Sequence, residues 1–96
     1  MNTEIKAVHF SLSNETKEYL EKKIARIPNA ENMIIDLLFT LTKSKDFSAE
    51  VKVNFRWGVT IHLKVNDFVL NSAIDKLMDK LDPKIAKEKE KVKEKR

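Results

Sequence analysis

Residues 47–65 have the sequence FSAEVKVNFRWGVTIHLKV, and this stretch decides the fold. Apolar and polar residues alternate on both sides of its centre, and the inward-facing set is predicted to be Phe47, Ala49, Val51, Val53, Phe55, Val59, Ile61, Leu63 and Val65. A period of two predicts strands with one buried and one solvated face. Arg56-Trp57-Gly58 predicts a tight connection, because glycine adopts positive φ without steric cost. The stretch is therefore predicted to form an antiparallel hairpin whose apolar face other elements must cover.

Two strands and a helix are predicted before this hairpin. Thr3–Leu12 alternates imperfectly, and a bulge near Ala7 would reconcile its pattern. Ser13 is predicted to be the N-cap of a helix that runs to about Ile27, where the next residue is proline. Residues 33–42 predict a second strand, whose inner face would carry Met33, Ile35, Leu37, Phe39 and Leu41.

A long helix is predicted after the hairpin, starting near Asp67 as its N-cap. Its apolar stripe comprises Leu70, Ile74, Leu77, Leu81 and Ile85. The order β-α-β-β-β-α then predicts an α+β two-layer sandwich, in which a four-stranded mixed sheet carries two helices on one face. Residues 1–96 are predicted to form a single domain. Its Lys/Glu-rich tail, residues 86–96, is predicted to be a helical extension, although this composition is also typical of disorder.

Composition and motifs argue against several classes of function. The chain has 96 residues, no cysteine, and no nucleotide-binding, hydrolase or zinc-protease motif. Its two histidines, His9 and His62, stand alone in strand-like sequence, so we expect neither to be a catalytic base or a metal ligand. No stretch has the length of a membrane span or the pattern of a signal peptide. We therefore expect a cytoplasmic non-enzyme with no cofactor, metal, membrane or small-molecule substrate.

Charge is segregated around the last helix. Nineteen Lys and Arg residues against fifteen Asp and Glu residues give a net charge of +4. At about 100° per residue, one flank of the apolar stripe carries Lys76, Lys80, Lys84, Lys87 and Lys91. The other flank carries Asp75, Asp79 and Asp82, and solvation is the expected role of Asp75 and Asp79. Like charges four residues apart destabilise an isolated helix, so a partner outside the helix is expected to compensate.

The first helix carries a smaller basic group, with Lys22, Lys23 and Arg26 beside Tyr19. If both helices lie on one sheet face, this group is predicted to face the lysine flank of the last helix across the groove between them. Such a basic strip with an aromatic side chain suits contact with a phosphate backbone. The alternative is an ordinary solvated helix surface, because basic flanks are common.

The last helix also contains a recognisable pattern. Residues 72–81 have the sequence SAIDKLMDKL and are followed by Lys84, Ile85, Lys87 and Lys89. This resembles the AID-x-L-x-DKL signature of the bacterial hibernation-promoting factor and protein Y family of ribosome-associated inhibitors, in its short form. The resemblance covers nearly the whole chain and includes Lys23 and Arg26 of the first helix. The family fold has the predicted element order and is similar to a double-stranded-RNA-binding domain.

The resemblance implies a ribosome hibernation factor that binds the decoding region of the small ribosomal subunit. It would block the binding of mRNA and of A-site and P-site tRNA, and so inhibit translation in idle ribosomes. By position in the family pattern, the residues expected to face ribosomal RNA are Lys23, Arg26, Lys80, Lys84, Lys87 and Lys89. The helical stripes add Lys22, Lys76 and Lys91. Ribosome dimerisation, where it occurs, would need a separate partner.

Two other classes of function remain open from the sequence. One is a general double-stranded-RNA-binding or RNA-chaperone module. The other is a protein–protein module that uses the polar outer face of the sheet.

The sequence departs from the family pattern at two positions. Pro83 lies inside the predicted last helix, where its ring clashes with a carbonyl one turn earlier, so the helix is expected to kink or to restart there. Val69 occupies a place where relatives have an acidic cap, and Asp67 is expected to serve instead.

Overall fold

The computed structural model describes residues 1–94, which form four strands and three helices. The strands are β1 (Asn2–Val8), β2 (Ile34–Lys43), β3 (Phe47–Phe55) and β4 (Thr60–Asp67). The helices are α1 (Asn14–Ala25), the single-turn α2 (Ala30–Met33) and α3 (Leu70–Glu94). The strands form one sheet in the order β1-β2-β3-β4, with β1 parallel to β2 and the other pairs antiparallel. The predicted α+β fold with a mixed four-stranded sheet is confirmed.

The hairpin of β3 and β4 follows the predicted alternation. Four inward residues of β3 are fully buried, namely Ala49, Val51, Val53 and Phe55, and Phe47 at its start is half-buried. In β4, Ile61 and Leu63 are half-buried, and Val59, before β4, is 37% exposed. The difference arises because β4 is an edge strand with a neighbour on one side alone. Gly58 has φ +87°, and its N–H donates to the carbonyl of Phe55 at 3.1 Å, as the tight connection requires.

The boundaries of β1 differ from the prediction. Its pairing with β2 runs without interruption from Asn2 to Val8, so the bulge expected near Ala7 is absent from this strand. The strand ends at Val8 because His9 has φ +67°, a left-handed conformation that turns the chain away from the sheet. The predicted continuation to residue 12 is therefore wrong. Phe10 instead packs edge-on against the ring of Phe47, at 5.5 Å between centroids.

The start of β2 carries an irregularity that the sequence did not indicate. The pairing of β2 with β3 shifts register between Ile34 and Asp36. As a result Ile34 is fully buried and Ile35, predicted on the inner face, is 46% exposed. The preceding turn forms the short α2, which was not predicted. Asn29 enters it with φ +57°, a conformation that asparagine tolerates.

The ends of the two long helices are set by local hydrogen bonds. Ser13 caps α1 as predicted, and its Oγ accepts from the N–H of Thr16 at 3.1 Å. α1 ends at Ala25, two residues before the predicted limit. Asp67 belongs to β4, and its carboxylate accepts from the N–H of Val69 at 2.9 Å, so it caps the turn that precedes α3.

The Lys/Glu-rich tail is helical as far as Glu94, and its last two residues lie outside the described part of the chain. Pro83 lies within α3, which is one helix on both sides of it. The structure therefore shows a continuous helix rather than one that restarts at Pro83.

The core lies between the inner sheet face and the two long helices. α3 packs against β3 and β4 and lies beside α1. Its buried face comprises Ala73, Ile74, Leu77, Met78, Leu81, Ile85 and Glu88. α1 contributes Leu20 and Ile24. The sides of α3 that remain outside the core are the ones available for function.

Replacing Pro83 with alanine should stabilise the protein. Proline in a helix interior costs about 3 kcal/mol relative to alanine, because a hydrogen bond is lost and the ring is crowded. We expect thermal melts to show a Tm several degrees higher for Pro83→Ala. Lys84→Ala, at the neighbouring exposed position, serves as the control and should change Tm little. An unchanged or lower Tm for Pro83→Ala would show that the proline occupies an unstrained site.

Candidate nucleic-acid interface

The flank of α3 that faces α1 is acidic. Tyr19 donates its hydroxyl hydrogen to Oδ1 of Asp75 at 2.5 Å, and the Lys23 ammonium lies 3.0 Å from the same oxygen. The Lys23 nitrogen also lies 5.0 Å from the centroid of the Tyr19 ring. Lys23 and Tyr19 therefore face Asp75, and the predicted meeting of the α1 basic group with the lysine flank is wrong. The expectation that Asp75 is merely solvated is wrong as well.

This three-residue contact shifts the pKa of each member. The hydrogen bond from Tyr19, followed by that from Lys23, lowers the pKa of Asp75 from its ordinary 3.8. The bond to Asp75 raises the pKa of Tyr19 and is also the main cause of the raised pKa of Lys23. All three shifts favour an ionised Asp75 beside a protonated Tyr19 and Lys23 at neutral pH.

The lysine flank of α3 lies instead along the edge strand β4. Lys76 and Lys80 line one groove with Lys64 and Asp79. The charged and histidine residues that line the next groove along the helix are Lys84, Lys87, Lys91, His62 and Glu88. Lys64 and His62 are outward-facing residues of β4 that were not predicted as site residues. Their place on the outer face followed from the alternation, but nothing in the sequence indicated which flank of α3 would lie beside β4.

Two of the flanking lysines are engaged in ion pairs. The Lys76 ammonium lies 2.6 Å from Oδ2 of Asp67, and this contact is the main cause of the lowered pKa of Asp67. The Lys91 ammonium lies 3.2 Å from Oε2 of Glu88. The remaining three are exposed and have no acidic side chain within 4.0 Å among the described ones, namely Lys80, Lys84 and Lys87. We call these three the lysine row.

The other predicted site residues lie on the opposite side of α3. Lys89 and Arg26 line one groove with Asp82, between α3 and the end of α1. Lys22 is exposed on α1 and lines none of these grooves. The nine predicted residues thus form two groups, one beside β4 and one beside α1, rather than a single strip between the helices.

Glu88, in the Lys/Glu-rich tail, is a buried carboxylate. It is 7% exposed and accepts a hydrogen bond from the indole N–H of Trp57 at 3.2 Å. Trp57 in turn stacks on Phe55, with 5.1 Å between ring centroids. Trp57 is thus partly buried and packs against the core at the hairpin end of the sheet. The contact holds the tail of α3 against the hairpin.

The described residues contain no cluster of three or more His, Asp or Glu side chains that could hold a metal ion. Of the helices within residues 1–94, none has both the length and the apolar character needed to cross a bilayer.

Asp75→Asn should destabilise the protein in a pH-dependent way. Because the folded-state pKa of Asp75 is lowered, its contribution is present above the unfolded value near 3.8 and is lost as the pH falls through the folded value. For a contact this exposed, we expect a loss of about 1 kcal/mol or less at pH 7. Chemical denaturation of both proteins at pH 7 and below pH 4 measures the difference, which should shrink in acid.

Asp79→Asn is the matched control, because Asp79 is exposed and makes no hydrogen bond or ion pair with another described side chain. Equal effects of the two substitutions at pH 7 would contradict a specific role for the Asp75 contact.

The fold is shared with two solved structures. The ribosomal subunit interface protein from Coxiella burnetii superposes with a TM-score of 0.84 at 23% identity, covering 93% of this chain and 98% of that one. The N-terminal domain of Protein Y from Thermus thermophilus gives 0.76 at 23% identity, covering 88% and 96%. At this identity the likeness establishes the fold. Among curated proteins, none matches the sequence significantly.

The resemblance found in the last helix is confirmed by a comparison with models of protein families. The model described as "Sigma 54 modulation protein / S30EA ribosomal protein" matches residues 3–93, nearly the whole chain. The chain therefore belongs to this family of ribosome-associated proteins.

Proposed function

We propose that this protein is a ribosome hibernation factor that binds the decoding region of the small ribosomal subunit. Bound there, it blocks mRNA and the A-site and P-site tRNAs and inhibits translation in idle ribosomes. Family membership supports the ribosome as the partner. The Coxiella neighbour is named a ribosomal subunit interface protein and the Thermus neighbour a Protein Y, which agrees with this assignment.

The observation that carries the proposal is the lysine row. Lys80, Lys84 and Lys87 are exposed on one flank of a regular helix and span about 10 Å along its axis, at 1.5 Å per residue. They repel one another, and none of the three forms an ion pair within 4.0 Å with a described carboxylate, although Asp79 and Glu88 line the same grooves. A phosphate backbone relieves this repulsion and gains affinity by releasing condensed counterions. Contacts of this kind position a protein on RNA without reading its sequence.

The paired lysines have a different part in this proposal. Lys23, Lys76 and Lys91 each have a carboxylate partner, so a contact with phosphate requires them to exchange or share that partner. Their net contribution to affinity is therefore smaller than that of the lysine row. Lys22, Arg26 and Lys89 form the second contact region, beside α1.

The proposed mechanism requires the protein to occupy the binding path of mRNA and tRNA, and no covalent bond is formed or broken. A domain that fills the path of mRNA and tRNA excludes them by volume, and its affinity sets how long the ribosome remains idle. The proposal thus assigns no catalytic residue.

Changing Lys80, Lys84 and Lys87 together to glutamine tests the proposal. Each lysine is exposed, so Tm should change by only a few degrees. Co-sedimentation with small ribosomal subunits should show a loss of affinity of at least tenfold, because three unpaired charges leave one surface. The matched control replaces Lys6, Lys45 and Lys52, which are exposed on the outer sheet face and in the β2–β3 turn. Lys43 is left unchanged because it packs over the Phe47 ring.

The control triple removes the same net charge and should weaken binding far less. Equal losses of affinity in the two triple variants would show that total charge alone determines binding. That result would contradict a specific role for the lysine row. Binding of the wild type to any duplex RNA as tightly as to the subunit would instead support the double-stranded-RNA-binding alternative.

Binding should also depend steeply on salt. Each phosphate neutralised contributes roughly −0.7 to −0.9 to the slope of log affinity against log salt concentration. The lysine-row triple should reduce the steepness of this slope by about 2 to 3, and the control triple should leave it nearly unchanged. Affinities measured across a series of salt concentrations provide the test. A flat dependence for the wild type would point to apolar contacts as the source of affinity.

A further inference from the structure

A separate groove lies where the end of α1, α2 and α3 converge. It has a volume of about 390 Å³ and an apolar base formed by the buried side chains of Ile27, Met33 and Ile85. Pro28 and Ala86 also line it. Its remaining lining residues are all charged, namely Arg26, Asp82 and Lys89. We call it the Arg26–Lys89 groove.

The three charged residues are available for a ligand. Their side chains make no hydrogen bond with the other described side chains, and none has an oppositely charged partner within 4.0 Å among them. Asp82 is an exposed lining residue of the groove, and partial desolvation, followed by repulsion from Asp79, raises the pKa of its carboxyl group. A carboxylate so placed favours a ligand that donates hydrogen bonds to it.

The chemistry of the groove combines three requirements. Its apolar base suits a flat, weakly hydrated surface, and its two cations suit a phosphate. Its carboxylate suits an amino donor, as when Asp or Glu accepts from the N4 amino group of cytosine. A nucleotide with an amino-bearing base meets all three. Uracil does not, because its N3–H lies between two carbonyl oxygens that a carboxylate repels.

We propose that the Arg26–Lys89 groove binds one unstacked nucleotide of an RNA strand, with a cytosine or purine base against Ile85 and Met33 and its amino group on Asp82. Arg26 and Lys89 contact the adjoining phosphates. The inference rests on the proposed function for its partner and adds to it a residue that reads a base. Sequence-specific RNA recognition commonly uses such unstacked bases.

Other occupants match the groove less well. An acidic peptide would meet the repulsion of Asp82, and a purely apolar side chain would leave three charged groups desolvated without partners. A free mononucleotide offers the same base and phosphate chemistry. It lacks the adjoining phosphates, however, that would occupy both cations at once.

Methionine methyl groups provide the test. Met33, at the end of α2, lines the groove. Met78 is buried on α3, does not line the groove, and serves as an internal control. We would titrate the full-length protein, labelled with ¹³C at the methionine methyls, with a uridine nonamer and with the same nonamer carrying one central cytidine. The cytidine oligomer should bind about tenfold tighter and should shift the Met33 resonance while Met78 stays in place.

Asp82→Asn should abolish the preference for cytidine, because the amide can also donate to a uracil carbonyl. Asp79→Asn makes the same charge change outside this groove and should keep the preference. Equal binding of the two oligomers to the wild type, or equal shifts of Met33 and Met78, would overturn the proposal. Cytidine monophosphate binding as tightly as the oligomer would overturn the assignment to an RNA strand. Because these assays use no ribosome, the proposed function can stand where this inference fails.

Discussion

The packing of α3 on the sheet is the constraint that the rest of the molecule depends on. Once its apolar stripe is buried against β3 and β4, rotation about the helix axis is fixed, and each flank has an assigned neighbour. The acidic flank meets α1, where Asp75 finds Tyr19 and Lys23. On the other flank Lys76 meets Asp67, at the end of β4. The repulsion between like charges four residues apart is therefore offset within the protein at these positions. The lysine row has no such ion pair among the described side chains, and this difference is the basis of the proposed contact with ribosomal RNA.

Most of the fold could be predicted because burial of one face imposes a regular spacing of apolar residues along each strand and helix. In β3 the alternation is strict and the structure follows it. Where the sequence analysis was wrong, a single backbone conformation decides the outcome. His9 ends β1 with a positive φ, and the register shift after Ile34 places Ile35 outside. Both are local departures that leave no mark on the periodicity. The single-turn α2 is likewise too short to have a helical repeat.

The candidate site was less predictable, because it depends on how elements face one another. The helical repeat separated the lysine flank of α3 from Asp75 and Asp82, which lie toward α1, but Asp79 lines a groove with Lys76 and Lys80. The repeat does not indicate which of the two flanks lies beside α1. That arrangement determines which residue each charged side chain contacts. Lys23 becomes an internal partner of Asp75, whereas Lys89 joins Arg26 across a groove. Lys64 and His62 enter the site because β4 lies beside the lysine flank. The sequence of one helix does not indicate which residues of other elements its side chains contact.

The hairpin that decides the fold also controls the last turns of α3. Trp57 is fixed by stacking on Phe55, and its indole N–H holds the buried carboxylate of Glu88. Glu88 lies between Lys87 and Lys89 in the sequence, so holding its carboxylate inward directs these two lysines to opposite flanks of the helix. A stretch composed almost entirely of Lys and Glu would otherwise have no apolar face to orient it. The Trp57–Glu88 hydrogen bond thus extends the orientation set by the buried Leu81 and Ile85 to Lys87, at the end of the lysine row, and to Lys89 in the Arg26–Lys89 groove.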